Sequence, residues 1–291
     1  METAELLKKV RKIEIKTRGL SNQIFSGEYH SAFKGRGMAF SEVREYTPGD
    51  PIRSIDWNVT ARLNHPYVKV FEEEREITLM LIIDVSGSSG FGSGDQTKRE
   101  LVTEVAAVLA FSASQNNDKV GAILFSENVE LFIPPKKGRS HVLRIIRELI
   151  EFKPKGSKTN LAEAIRFFSN VTKKRSIAFL ISDLMDGDFE KPLRIASGKH
   201  DFVTLIPVDR FEDELPRLGL VPIKDLETNE ITWVDTSDPE VQKEYQANRR
   251  RFMATTEDIL KKSGLDYAYL YTGSMYVKPL MQLFRKREAR R

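Results

Sequence analysis

The residues best suited to chemistry lie at the end of an apolar run. Residues 77–94 read ITLMLIIDVSGSSGFGSG, and Asp84, Ser86 and Ser88 fall at alternate positions leading into a Gly/Ser loop. Alternate residues of a tight loop can turn their oxygens to one point. A carboxylate and two hydroxyls gathered this way suit a hard cation such as Mg2+, which takes six oxygens at about 2.0–2.1 Å and keeps some water. Neutral hydroxyls leave a divalent ion under-neutralised, so the ion gains from an anionic oxygen on a partner's Glu or Asp. The same residues also fit serines capping a helix N-terminus. Asp-x-Ser-x-Ser alone leaves both readings open.

Two further loops supply what a cation would lack. Gly156-Ser157-Lys158-Thr159-Asn160 opens a helical pattern and offers Thr159, and the run SIAFLIS ends at Asp183. The apolar run before Asp84 does not alternate, so it reads as a strand buried on both faces. From residue 77 onward, strands alternate with helices, which argues for a doubly wound, mostly parallel sheet. Ligands of such sheets bind at the carboxyl ends of the strands, beside the switch point. There Asp84, Ser86, Ser88, Thr159 and Asp183 can meet around one open coordination position.

The pattern predicts helices over residues 97–116, 140–152, 161–172, 190–197, 239–263 and 275–287. It predicts strands over 67–71, 119–126, 129–134, 176–182, 202–208 and 266–271, and a hairpin within about 220–236 turning near Thr228-Asn229. Only Glu127 and Asn128 separate the strand at 119–126 from the next one. So short a link cannot carry a parallel crossover, so the strand at 129–134 is expected to be an antiparallel edge, ended by Pro134-Pro135. Residues 1–76 are expected to form an accessory segment ahead of the main domain at 77–291. In it, Leu6, Leu7, Val10 and Ile13 have helical spacing, residues 26–40 read as a loop, and Pro48-Gly49-Asp50 is a turn.

The 291 residues are 40% hydrophobic and 30% charged, with a formal net charge of +4 and no cysteine. Zero Cys excludes disulfides, zinc–thiolate sites and Cys nucleophiles, and fits the cytoplasm. No apolar run approaches the ~20 residues of a membrane helix, and the charged N-terminus lacks a signal core. The basic clusters, Arg249–Arg251 and the C-terminal tail, read as a solvated helix face and a chain end rather than a nucleic-acid stripe. Arg44, Arg53, Asp56, Trp57 and Arg62 form a dense polar cluster, expected to fix the accessory segment with Trp57 as packing anchor. Asp186 and Asp188 are expected to serve loop solvation and the capping of the helix at Glu190. The four histidines do not pair at ligand spacing.

The three-loop set Asp84, Ser86, Ser88, Thr159 and Asp183 resembles the metal-ion-dependent adhesion site of von Willebrand factor A domains. The resemblance implies that Ser86, Ser88 and Thr159 ligate Mg2+ or Mn2+ directly, that Asp84 and Asp183 hold coordinated waters, and that a partner's carboxylate completes the shell. Ser89 departs from the pattern, since such loops commonly carry Met there. A wider resemblance runs from GEYHSAFKGRGMAFSEVREYTPGDPIRSIDWNVTARLNHPYVKVFEEERE through DVSGSSGFGS, NNDKVGAILFS, FIPPKKGRSHVLRIIREL, ISDLMDG and LPRLGLVPIKDLETNEITWVDT. On these segments the chain is similar to domain of unknown function 58, in a short form without transmembrane helices.

That family resemblance implies a von Willebrand factor A-like (Rossmann-like) α/β fold. It also implies a non-enzymatic, metal-assisted protein-interaction module, an adaptor or co-chaperone that presents clients to a MoxR-type AAA+ ATPase. Two other classes compete. Phosphatases with an Asp nucleophile place a second carboxylate two residues on, where this chain has Ser86. RNA binding, known for some von Willebrand A-containing proteins, would show as strongly salt-dependent affinity. Ser86 lies in D-V-S-G-S rather than a G-x-S-x-G elbow, and 156–159 lacks the full phosphate-loop pattern.

Overall fold

The computed structural model describes residues 10, 11, 13, 14, 16, 38–73, 77–228 and 230–290. Leu6 and Leu7 of the expected N-terminal helix lie outside these, as do residues 26–37 of the expected loop. The described residues of the N-terminal stretch are helical, and Lys16 pairs with Glu104 at 2.7 Å. The chain divides into two compact units, Phe33–Ile77 and Thr78–Arg291, the latter together with Met1–Ala32.

In the smaller unit β1 (Met38–Glu45) runs antiparallel to β2 (Tyr67–Glu73), with a bulge between Phe40 and Glu42. Between them lies the short helix α1 (Trp57–Leu63). The Pro48-Gly49-Asp50 turn is held from inside the unit. Arg44 donates to both oxygens of Asp50 at 2.8 and 2.7 Å, and Gly49 takes the φ of +114° that a side chain resists. Trp57 is not the expected packing anchor, for it is 65% exposed. Asp56 is the N-cap, accepting from the Asn58 and Val59 amides at 3.0 and 3.3 Å, which leaves Trp57 on the open first turn.

The larger unit is α/β. Its first sheet strands are β3 (Thr78–Asp84), β4 (Lys119–Phe125), β5 (Val129–Lys136), β6 (Ile177–Ile181) and β7 (Asp201–Val208). The hairpin is β8 (Leu220–Lys224) with β9 (Ile231–Asp235), and β10 (Asp266–Tyr271) completes the sheet. The helices are α2 (Lys98–Gln115), α3 (Arg139–Glu151), α4 (Leu161–Val171), α5 (Glu190–Lys199), α6 (Arg210–Asp213), α7 (Pro239–Lys262) and α8 (Val277–Ala289). The six-stranded sheet has the order β10-β7-β6-β3-β4-β5. All its pairs are parallel except β4 with β5. This is the doubly wound, mostly parallel arrangement that the sequence predicts, with the antiparallel strand at the edge.

The end of β5 differs from the expected one. β5 continues through Pro134-Pro135 to Lys136, because an edge strand tolerates missing N–H donors. Gly121 of β4 makes room for it: a Cβ there would lie 3.0 Å from Ile133 O and from Pro135 N.

Both sheet faces are covered. Met80 and Ile82 join one core with Ile165 and Phe168 of α4 and Leu193 of α5. On the sheet's other face Phe179 meets Phe284 of α8 edge-to-face at 6.4 Å. The strand order reverses between β3 and β6, so the switch point lies between the ends of Asp84 and Asp183.

His200, after α5, is 2% exposed. Its Nδ1 lies 3.1 Å from Ser176 Oγ, and its ring packs on Phe168 at 4.6 Å. Burial, with the nearby Lys199 and Arg175 charges, pushes its pKa down to about 4. The unfolded chain takes this proton near pH 6.5, before the native state does. The group therefore favours the fold above about pH 6.5, and that contribution is lost as pH falls toward 4. His200→Gln is expected to flatten this part of the profile, by roughly 2–3 kcal/mol at the acid end. Urea midpoints from pH 7 to 4 check it, and parallel profiles for the two proteins would refute it.

Candidate metal centre

Asp84 ends β3, paired with Phe125 of β4, and is 5% exposed. One carboxylate oxygen accepts the Ser86 amide at 2.9 Å, and the other accepts Ser182 Oγ at 2.7 Å. Two bonds from different loops fix its orientation. The chain then enters a 3-10 turn, Gly87–Gly90, with Ser86 at its N-cap position. Ser86 makes no side-chain capping bond; its Oγ lies instead 3.2 Å from Ser88 Oγ. Ser89 turns its hydroxyl back onto Ser86 O at 2.7 Å.

The loop bearing Thr159 is held by residues that no motif marks. Glu130 on β5 accepts the Lys155 amide at 2.8 Å, the Gly156 amide at 3.2 Å and the Ser126 hydroxyl. Burial opposes ionisation of Glu130, but these bonds outweigh it and hold its pKa below the usual carboxylate range. Gly87 N donates to Ser157 O at 2.9 Å, joining the two hydroxyl-bearing loops. Asn160 caps α4 through the Glu163 amide at 3.0 Å. Asp186 also caps α4, accepting the Leu161 amide at 2.7 Å. It does not cap the helix at Glu190, whose N-cap position makes no side-chain bond.

Asp183 follows β6 and is 8% exposed. It shares a small cavity with Asp84, Ser88, Ser89, Ser182 and Lys98. Lys98, at the start of α2, is fully buried. Its ammonium donates to Asp183 Oδ2 at 2.8 Å and to Glu212 Oε1 at 2.6 Å. Burial disfavours its charge, but the two carboxylates overcome this and raise its pKa. Asp84 is pushed up to about 6 by burial and then by the Asp183 charge, against the bonds from Ser86 and Ser182.

The hairpin turn reaches the same place. Ser157 Oγ donates to Glu227 O at 2.7 Å, and Thr159 Oγ1 lies 3.5 Å from Glu227 Oε1. A Cβ at Gly87 would stand 2.4 Å from Leu226 O, so only glycine fits beneath the turn. Burial and the charges of Asp183, Asp225 and Asp186 raise the Glu227 pKa.

The two serine hydroxyls are spaced as a hard, six-coordinate ion would need them. The Ser86–Ser88 separation of 3.2 Å is close to the spacing of neighbouring oxygens around Mg2+, about 2.9 Å for bonds of about 2.05 Å. Each Asp84 oxygen keeps a second lone pair that can accept from a water. Among the described residues no group of three or more His, Cys, Asp or Glu is placed to hold a metal ion. The set here has two carboxylates, with hydroxyls as the remaining donors. Lys98 already balances one of the carboxylates.

Lys98, Ser182, Glu130 and Glu227 are contributors that the motif reading did not find. Lys98 had a signal, since it continues the Leu101, Val105 stripe backwards by one turn. Ser182 directly precedes Asp183. Glu130 and Glu227 have no signal beyond being acidic residues near turns.

The chain is similar in sequence to several relatives and in fold to one solved structure. Uncharacterized protein Rv1480 of Mycobacterium tuberculosis is 29% identical over 234 residues, which is 79% of this chain and 74% of that protein. Uncharacterized protein YeaD of Bacillus subtilis is 29% identical over 109 residues, 38% of this chain and 25% of that protein. The crystal structure of an aerotolerance-related membrane protein from Bacteroides fragilis covers 74% of this chain and 100% of its own, at 14% identity and a TM-score of 0.50, a likeness of fold. Among the described residues, no helix is long and apolar enough to cross a membrane. The profile of one family, described as "Protein of unknown function DUF58", matches residues 42–255. Because that match spans well over half of the 291 residues, the chain belongs to the DUF58 family.

Proposed function

We propose that this protein is a non-enzymatic interaction module whose metal centre recognises a carboxylate on a partner protein. Ser86, Ser88 and Thr159 would hold Mg2+ or Mn2+ directly, and Asp84 and Asp183 would hold it through water. The ion would supply a Lewis-acidic point for an incoming Glu or Asp. The observation that supports this reading is that buried Asp84 and Asp183 line one small cavity with Ser88 at the switch point of the sheet, with Ser86 Oγ 3.2 Å from Ser88 Oγ. What this chain does there is orient. Ser182 and the Ser86 amide fix Asp84, Glu130 fixes the Thr159 loop, and Lys98 fixes Asp183.

An Asp nucleophile fits less well. Both Asp84 oxygens are engaged by protein donors, and the residue two positions on is Ser86, which cannot act as the acid. By family resemblance, the partner is a MoxR-type AAA+ ATPase or its client, with the protein working as an adaptor in the cytoplasm. Isothermal titration of the full chain with Mg2+ and Mn2+ tests the centre. Asp84→Ala is expected to abolish divalent binding while leaving the far-UV circular dichroism unchanged. Equal affinity in the two proteins would remove the basis of the proposal.

A further inference from the structure

We propose that Glu227, on the chain's own β8–β9 hairpin, is a ligand of this metal centre, so that a partner's carboxylate must displace it to dock. The inference rests on the metal-site reading and says how that site is occupied between encounters.

The hairpin is fastened at both ends. At its base, Thr236 N and Oγ1 donate to Gly219 O at 2.8 and 3.0 Å. Gln242 of α7 donates to Thr236 O at 2.6 Å and to Leu215 O at 2.8 Å. At its tip, the Ser157 hydroxyl donates to Glu227 O, and Leu226 O rests over Gly87. Asp225 uses its Oδ1 on the Glu227 and Thr228 amides at 2.7 and 3.2 Å. That bond set shapes the turn and engages the Asp225 carboxylate within it. Glu227 is the acidic side chain that meets Thr159.

The distance suits shared coordination. Around an ion with bonds of about 2.05 Å, neighbouring oxygens stand about 2.9 Å apart and opposite ones about 4.1 Å. Thr159 Oγ1 and Glu227 Oε1, at 3.5 Å, fall between these values, so both can reach one ion with a small side-chain rotation. Glu227 also enters a place already crowded with negative charge, since Asp183, Asp225 and Asp186 all press on it with the same sign. A cation resolves that crowding. A carboxylate tethered by a short turn acts at high effective concentration, which would keep weak external carboxylates out. A two-stranded ribbon is only marginally stable alone, so a partner with enough other contact can lift it.

The test uses the full chain and Mn2+ as the probe. Titrations compare the wild type with Glu227→Gln, Glu227→Asp and Asp84→Ala, with and without acetate, and hydrogen exchange follows the amides of residues 225–228. We expect Glu227→Gln to weaken Mn2+ binding at least tenfold. Glu227→Asp should weaken it at least threefold, because the charge is kept but the reach is shorter. Acetate should restore affinity in Glu227→Gln and do nothing to the wild type. Mn2+ should slow exchange at 225–228 in the wild type and not in Glu227→Gln or Asp84→Ala.

Three results overturn the proposal. If Asp84→Ala abolishes binding and Glu227→Gln binds as well as the wild type, the centre stands and Glu227 is not its ligand. If Glu227→Gln is weaker but Glu227→Asp and the exchange pattern are unchanged, the charge acts at a distance and coordination is refuted. If the wild type binds no Mn2+ at millimolar concentration, the metal reading fails and this inference fails with it.

Discussion

Lys98→Met is expected to lower the unfolding free energy by about 3 kcal/mol or more, because breaking a buried ion pair from one side strands the other side's charge. The Lys98 ammonium is fully enclosed and is bonded to both Asp183 and Glu212. Methionine fills the space of the stem, so packing is largely kept and the loss is electrostatic. Adding Asp183→Asn should recover part of the stability, since one stranded charge is removed. Urea unfolding in the presence of EDTA measures both. A loss under 1 kcal/mol in the single variant would mean that the pair is not formed in solution. The same variant should bind Mn2+ more tightly than the wild type, because the fixed positive charge beside Asp183 is gone.

Asp84→Asn is expected to do the reverse: raise the metal-free stability by about 1–2 kcal/mol and abolish the stabilisation by Mn2+. The carboxylate is buried and faces the Asp183 charge, so its ionised form is held against a cost, seen in the rise of its pKa to about 6. The amide removes the charge but gives up one of the two acceptor bonds to Ser86 N and Ser182 Oγ, which limits the gain. In wild type, Mn2+ at a hundred times its Kd should add about 2.7 kcal/mol, and in the variant nothing. Thermal melts with EDTA and with Mn2+ give both quantities. A variant less stable than wild type in EDTA would show that the acceptor bonds outweigh the repulsion. The expected pattern is that of a binding site kept at the expense of stability.

Much of this was legible in the chain because strand ends announce themselves. The apolar runs before Asp84 and Asp183 stop at those residues, and a doubly wound sheet must place both stops on one edge. The two-residue link after Phe125 likewise dictated an antiparallel neighbour. At the site, what escaped detection was tertiary. Lys98 finds Asp183 across 85 residues of sequence, and no local rule links a lysine to that partner. Glu227 reaches Thr159 across 68, only because the hairpin folds over Gly87. β1 and α1 were missed for local reasons. The bulge at Phe40/Glu42 breaks the alternation that marks a strand, and α1 has seven residues and no buried side chain, so it shows no apolar stripe. The proline pair misled in the opposite sense, since its stop signal applies to inner strands and β5 is an outer one.

That proline pair also bears on how copies of the protein can meet. Neither proline has an N–H to donate, and the pair lies where the β4–β5 register shifts, between Ile133 and Lys136. A second chain extending the sheet along β5 would find no backbone donor at either position. That end of the edge is a poor template for a second strand, and a Pro→Thr change there would restore one donor.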